Sequence, residues 1–568
     1  QAIADPLVVQ DDARQVVFWM QRWHDPTLFP HDRIADYFES VTPWGFKGLY
    51  GMAIALGIPP FSVNLGLPLI LGLITTHYLF RITMGILPVP FTAWIACVLL
   101  NQTLWMKDDL VSATPRAFVY PVFLAFWFYW SQFSLGRGVG RSLICCALAL
   151  GLLGLFYPQY VLVASGMLVI ALITDILGRS KQCDHPFSQC QWIFYAVTLT
   201  VAAIVIGFYA FTASDYGPVV TWQQARAMAE FWPGGRNFFF SDNLWWFYAV
   251  GDRSGFFHVG LVRPATLSLG IFLPLLLRWR HHFPLTTFIT PQIHRLSHLL
   301  IAAATLFLTA HLALFRLHLP SRYTDHSLRI ILAIATALTL TLLINQGTKN
   351  EERRTRNEKR KTKNHPTRPL THPLTHLLTA TLLPLLLAYP LWVQPFPLTK
   401  YKVGRTPEIY AYLQTQPVNT VVASLAQTAD NIPVFAQRSI LVGYEYAIPY
   451  HLGYYDEFRR RAIALLQAQY SPDPHELIRV IQTYHINFWL LEKKAYEPNF
   501  FRKHWTQQYL SDQRLKHLPD WLDKLTNLPR RDRPILQRWQ SKCTVLTEAD
   551  VHLIDAQCLM KHKNGARE

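Results

Sequence analysis

Along this chain long apolar runs alternate with short polar segments. Runs of spanning length fall at about 62–84, 89–104, 117–134, 142–156, 160–177, 192–212, 258–277, 298–314, 328–345 and 373–393. Stretches approaching ~20 apolar residues are the signature of membrane-crossing helices, so about ten spans are expected. The 142–156 run is short and meets the next at Tyr157-Pro158-Gln159, a pairing that reads equally as a re-entrant hairpin. Residues 1–61 hold only short amphipathic pieces, around Phe18-Trp19-Met20-Gln21-Arg22-Trp23 and Leu49-Tyr50-Gly51-Met52, broken by Pro26, Pro30 and Pro43. They read as an interfacial segment on the outer membrane surface. From about Gln394 the pattern becomes that of a soluble domain. Short β-like runs (Thr420–Ser424, Ile440–Val442, Asn487–Leu491) alternate with helical stretches at Asp456–Tyr470 and Pro474–Thr483, which predicts a C-terminal α/β domain. The chain thus divides into 1–61, a transmembrane helical region 62–393, and a domain 394–568. Position 1 is Gln with no leader ahead of it, from which a missing first span is expected.

Composition agrees with this division. Of 568 residues 51% are hydrophobic and only 16% charged, too apolar for a soluble enzyme of this size. The formal charge of +17 would suit nucleic acid, but its carriers cluster in short segments between apolar runs, so no nucleic-acid partner is expected. One alternate set of loops holds 16 Lys and Arg in about 72 positions, the opposite set 11 in about 134. The first set is read as cytoplasmic, which puts residues 1–61, the loop 213–257 and the C-terminal domain outside. The basic run Arg353–Lys361 reads as a solvated, disordered cytoplasmic loop. Cys543 and Cys558 share the outer compartment and are expected to form a disulfide, while Cys183, His185 and Cys190 have poor zinc spacing.

This topology gathers charge at one membrane face. Asp11 and Asp12 lie outside with a second acidic pair, Asp108 and Asp109, and with Arg116, Arg263, Arg316, Arg322 and Arg329, the last three close to Tyr323. Single arginines at helix ends commonly snorkel, and an acidic pair commonly favours a helix N-terminus; their convergence is the notable feature. Arginine captures phosphate bidentately, and an Asp pair serves as general base or holds a divalent metal, so the face has the parts to act on a phosphate-linked lipid. The aromatic stretch around Trp245 and Trp246 suits interfacial anchoring or a groove for a lipid chain, whereas Gly443–His451 reads as packed core in preference to a sugar-stacking surface.

The acidic pair in the first outer segment, the many spans, the outward aromatic loop and the C-terminal outer domain together resemble the GT-C superfamily of membrane glycosyltransferases, whose first outer loop carries a short acidic motif that Asp11-Asp12-Ala13 matches. The resemblance implies a sugar donor linked to polyprenyl phosphate, an acceptor on the outer face, and Asp11 and Asp12 as catalytic base or metal ligands, with Mg or Mn the ion expected; the residues expected to bind the donor phosphate are Arg322, Arg316, Arg116 and Tyr323. The chain departs from the W-W-D motif of oligosaccharyltransferases, since Trp245-Trp246 is followed by Phe247. The alternative is a non-enzymatic multi-pass protein, either a lipid or sugar transporter or an envelope scaffold. A transporter would show polar residues within spans and internal repeats, and this sequence has few of the first and none of the second.

Overall fold

The computed structural model describes residues 5–179, 189–212, 214–257, 261, 263–361, 384–393, 400–525 and 528–565. Cys183, His185 and most of the expected 373–393 span lie outside them.

Among the described residues six helices are long and apolar enough to cross a membrane, making this an integral membrane protein. They are α3 (Pro60–Ile86), α6 (Val139–Phe156), α7 (Gln159–Arg179), α8 (Gln189–Phe211), α9 (His294–Leu312) and α10 (Ser321–Lys361). Two shorter apolar helices, α4 (Pro90–Met106) and α5 (Val119–Ser134), pack among them. Proline opens α3 and α4 at the first turn, where its missing N–H breaks no helical bond. The chain enters this bundle through α1 (Arg33–Val41), capped by the Asp32 carboxylate accepting from the Ile34 and Ala35 amides, and α2 (Trp44–Ala55). Of the spanning stretches α10 is the central one: 78% of it is buried, against 22–39% for the other five. Its partners close on it through small polar contacts, Thr92 to Thr341 at 2.9 Å and Thr336 to the Leu267 carbonyl at 2.9 Å. Leu73, Leu148, Ile204 and Leu308 remain exposed, as lipid-facing side chains must.

Three expectations are corrected. The described part of the 258–277 run is shorter than a span: after Pro264 a 3-10 stretch, Ala265–Phe272, continues directly into a short helix, Leu273–Arg278. The run Arg353–Lys361, expected as a disordered loop, continues α10, since Arg, Lys and Glu are good helix formers and no proline intervenes before Pro366. Phe18, Trp19 and Met20 do not lie on the membrane but are fully buried, Phe18 edge-on to Tyr446 of the C-terminal region at 5.5 Å.

The C-terminal region holds a five-stranded sheet of order β4-β3-β5-β7-β6, with β3 (Val421–Ser424), β4 (Ser439–Ile440), β5 (Phe488–Glu492), β6 (Thr544–Glu548) and β7 (Val551–Asp555). The β4, β3 and β5 strands run parallel, and the β6–β7 hairpin adds antiparallel beside β5. The expected helices appear as α11 (Leu452–Tyr470) and α12 (Pro474–Thr483). Cys543 and Cys558 are disulfide-bonded with Cα atoms 5.5 Å apart, clasping the hairpin at its base. Tyr446 and Ala447 are buried, so the 443–451 stretch contributes core. A separate two-stranded sheet joins the two ends of the chain: β1 (Val8–Gln10) pairs antiparallel with β2 (Tyr401–Val403).

Candidate functional site

Charged side chains from three parts of the chain meet where α4 ends and α10 begins. Helix α4 stops at Lys107; Asp108 and Asp109 start a one-turn helix, Asp108–Val111, and Arg116 follows in the turn Pro115–Phe118. The α10 N-terminal turns contribute Arg322, Asp325, His326 and Arg329, and the segment after β1 contributes Asp12.

Arg116 is the hinge of the outer half. Its guanidinium pairs with Asp12 and with Asp108 at 2.8 Å, and its Nε stands 4.0 Å from Asp109. Deeper in, Arg329 bridges two carboxylates: it pairs with Asp109 and donates to both Asp325 oxygens at 2.8 and 3.0 Å, while the Lys107 ammonium sits 3.5 Å from Asp325. Asp109, Asp325, His326 and Arg329 are all 4% exposed or less. Buried charges persist only when paired, and this network pairs them.

The electrostatics divide the two acidic pairs. Burial raises the Asp12 carboxyl above the ordinary range, Arg116 opposing and Asp108 and Asp11 adding to it. Burial also pushes Asp108 up, but Arg116, Lys400, Lys107 and Arg322 outweigh it and hold that carboxyl well below the usual range. Burial, with Arg329 beside it, lowers the Lys107 ammonium to about 7 against the pull of Asp325. Asp12 is thus the carboxylate poised to take up a proton, and Asp108 the one fixed as an anion.

Asp11 and Asp12 point apart. The Asp11 amide donates to the Lys400 carbonyl at 2.9 Å, extending the β1–β2 pairing, and its carboxylate pairs with Arg14 and with Lys402 at 3.5 Å. Arg14 in turn reaches Asn431 at 3.0 Å and Glu445 at 3.4 Å, and Arg236 closes on Glu445 at 3.1 Å. Asp11 therefore belongs to a clasp that fastens the N-terminal segment to the C-terminal region, and the pair does not converge on one ion.

The other candidates separate as well. The Arg322 side chain makes no hydrogen bond or ion pair with another described residue, and its charge is felt at Asp12, Asp108 and His318. Arg316 is exposed and has no place in the network. Tyr323 is buried with its hydroxyl donating to the Leu317 carbonyl at 2.7 Å. Trp246 stacks on Phe238 at 4.4 Å, whereas Trp245 is 74% exposed. A cavity of about 440 Å³ lies at the aromatic loop, lined by Thr221, Trp222, Gln223, His311 and Leu312.

The apolar run begins only at 328, so the hydrophobic pattern does not pick out Asp325, His326 or Lys107. The signal was present: Asp325 and Arg329 are four residues apart at the head of an apolar helix, and ionisable residues at membrane depth mark sites. Asp109, Asp325 and His326 bring ligand-type atoms within 4.8 Å of one another, a grouping suited to a metal. With Arg329 bridging the two carboxylates, the set does not fit a divalent ion as it stands. The group Cys543, Cys558 and His562 offers no thiolate, its cysteines being bonded to each other.

No protein-family model and no curated protein matches the sequence. The chain is similar to solved structures of the Archaeoglobus fulgidus oligosaccharyltransferase. Its apo form gives a TM-score of 0.49 at 11% identity over 88% of this chain and 67% of that one. The form tethered through a disulfide to an acceptor peptide containing the NVT sequon gives 0.47 at 11% identity, over 87% and 66%. AglB in complex with an inhibitory peptide and a dolichol-phosphate gives 0.46 at 10% identity, over 88% and 68%. All three neighbours are oligosaccharyltransferase structures, and at TM-scores below 0.5 they assign no role to this chain.

Proposed function

We propose that this chain transfers a sugar from a polyprenyl-phosphate carrier to an acceptor at the outer membrane face. The observation that carries the reading is Arg322: a half-buried guanidinium whose side chain makes no hydrogen bond or ion pair with another described residue, at the head of the central helix, its charge acting on a carboxylate whose proton affinity is raised. A guanidinium left open in this way is matched by a phosphate, which it binds bidentately.

In the inverting form of the reaction the acceptor hydroxyl gives its proton to the Asp12 carboxylate. Its oxygen attacks the anomeric carbon as the bond from that carbon to the phosphate oxygen breaks. The phosphate leaves with the added negative charge, which Arg322 stabilises. Arg116 fixes Asp12 in place, and Asp108, held ionised, fixes Arg116. Mg or Mn would find its donors in Asp109, Asp325 and His326 only if Arg329 withdrew, and no step is routed through one.

The reading includes the topology from the charge count: residues 394–568 outside, the continuation of α10 inside, and α4 and α5 completing the spans around the six long helices. The test is binding and transfer with the purified full chain in nanodiscs, using polyprenyl-phosphate-linked radiolabelled sugars. Saturable binding that Arg322→Ala weakens at least tenfold is expected. A correctly folded protein that binds and turns over none of these donors refutes the reading.

A further inference from the structure

Arg329 stands where the acidic group would otherwise hold a cation. Asp109 and Asp325 come from different elements, and their oxygens and a ring nitrogen of His326 lie within 4.8 Å of one another, all three side chains being buried. Two carboxylates brought this close repel unless a positive charge lies between them. The charge present is the guanidinium, which pairs with Asp109 and donates to both oxygens of Asp325. It is fully buried and permanently charged. The two carboxylates Asp109 and Asp325 are already matched by the Arg329 guanidinium, with the Lys107 amine beside Asp325. A divalent ion added to this group would leave an excess of positive charge in a buried place. It would also strip Arg329 of both carboxylates, leaving a buried guanidinium without an anion.

We propose that Arg329 is a built-in counter-cation that takes the position of a divalent metal, so that the Asp109–Asp325–His326 group is closed to metal ions. The proposal goes beyond the transfer reading and does not depend on it, because the group is closed whatever the outer half of the site binds. It also assigns the metal-ligating residue types a definite condition: they become ligands when the guanidinium is removed.

The measurement is Mn²⁺ binding, followed by electron paramagnetic resonance on the purified full chain in nanodiscs, with no sugar donor present. The wild type should hold no Mn²⁺ that Asp109→Asn removes. Arg329→Gln, which deletes the charge and leaves both carboxylates, should gain one bound Mn²⁺ per chain, and Arg329→Gln combined with Asp109→Asn should lose it. Wild-type protein that binds one Mn²⁺ and loses it in Asp109→Asn overturns the proposal. So does a folded Arg329→Gln protein that binds none. Where Arg329→Gln fails to insert, the comparison of wild type with Asp109→Asn decides alone: absence of site-bound Mn²⁺ supports the closed group, and its presence sinks it. Because no donor takes part, a failed transfer assay and a failed Mn²⁺ prediction are separate results.

Discussion

Asp11 and Asp12 are neighbours in sequence that serve different masters, and paired Asn substitutions separate them. Asn has nearly the volume of Asp and removes only the charge. In Asp12→Asn the Arg116 guanidinium keeps Asp108 at 2.8 Å, and the Asp12 side chain is 28% exposed, so the loss of folding stability should stay below about 1 kcal/mol. The same change removes the proton acceptor, and turnover should fall by a factor on the order of 10² to 10⁴, equivalent to roughly 3–5 kcal/mol of barrier. Asp11→Asn should do the reverse. It deprives Arg14, whose side chain is only 6% exposed, of its nearest anion, leaving Glu445 at 3.4 Å and Asn431 at 3.0 Å. A buried charge with a weakened partner costs about 1–3 kcal/mol, while the backbone bond to Lys400 and the position of Asp12 survive. The assays are transfer from a lipid-linked sugar and thermal unfolding of the full chain in nanodiscs. Asp12→Asn should keep its melting temperature and lose activity; Asp11→Asn should melt several degrees lower and keep most of its activity. If Asp11→Asn loses as much turnover as Asp12→Asn with its melting temperature unchanged, or if both retain full turnover, the division of roles is wrong.

Arg322→Lys keeps the charge but loses the planar fork, so KM for the lipid-linked donor should rise about tenfold with insertion unaffected; an unchanged KM would remove Arg322 from the phosphate site. Asp430 gives a pH signature: burial pushes its carboxyl from 3.8 up to about 7, Arg14 opposing and Glu445 adding. The folded protein therefore keeps a proton that the unfolded chain releases, so this contribution is present below about 4 and lost as pH rises to about 7. Asp430→Asn should flatten the fall in melting temperature across that window, and equal slopes in variant and wild type would show that Asp430 does not titrate there. Replacing Cys543 and Cys558 by Ser should destabilise the protein by about 3 kcal/mol through the 15-residue loop they close, read as a lowered unfolding midpoint. A cysteine introduced at Asn364 should resist an impermeant thiol reagent in intact cells, and labelling there would reverse the topology.

The membrane class, the strands β3 and β5, both C-terminal helices and the disulfide were legible because each rests on local information: apolar run length, alternation, or a shared compartment. The charged cluster was legible as a gathering on one face and illegible as a geometry. Nothing in Val9–Arg14 says that Asp11 turns toward Arg14 and Lys402 and Asp12 toward Arg116, because Lys402 and Arg116 are set by distant chain. Arg316 and Arg322 look alike in the sequence, six residues apart, yet one is exposed and the other faces the cluster, since only the second lies within the first turn of α10. The burial of Phe18, Trp19 and Met20 was hidden for a related reason. An aromatic run suits a membrane interface and a protein core equally, and only the Tyr446 packing decides.

The β1–β2 pairing bears on how the protein is made. The strand that presents Asp12 emerges from the ribosome first, and its partner, Tyr401–Val403, emerges only after the membrane helices have been synthesised. Until that second strand arrives, Val8–Gln10 has no ladder and Asp11 no Lys400 carbonyl to bond. A chain that has not yet reached residues 401–403 therefore holds Asp12 through Arg116 alone, and a product cut short before them would lack the strand pairing that fixes the backbone on either side of Asp11.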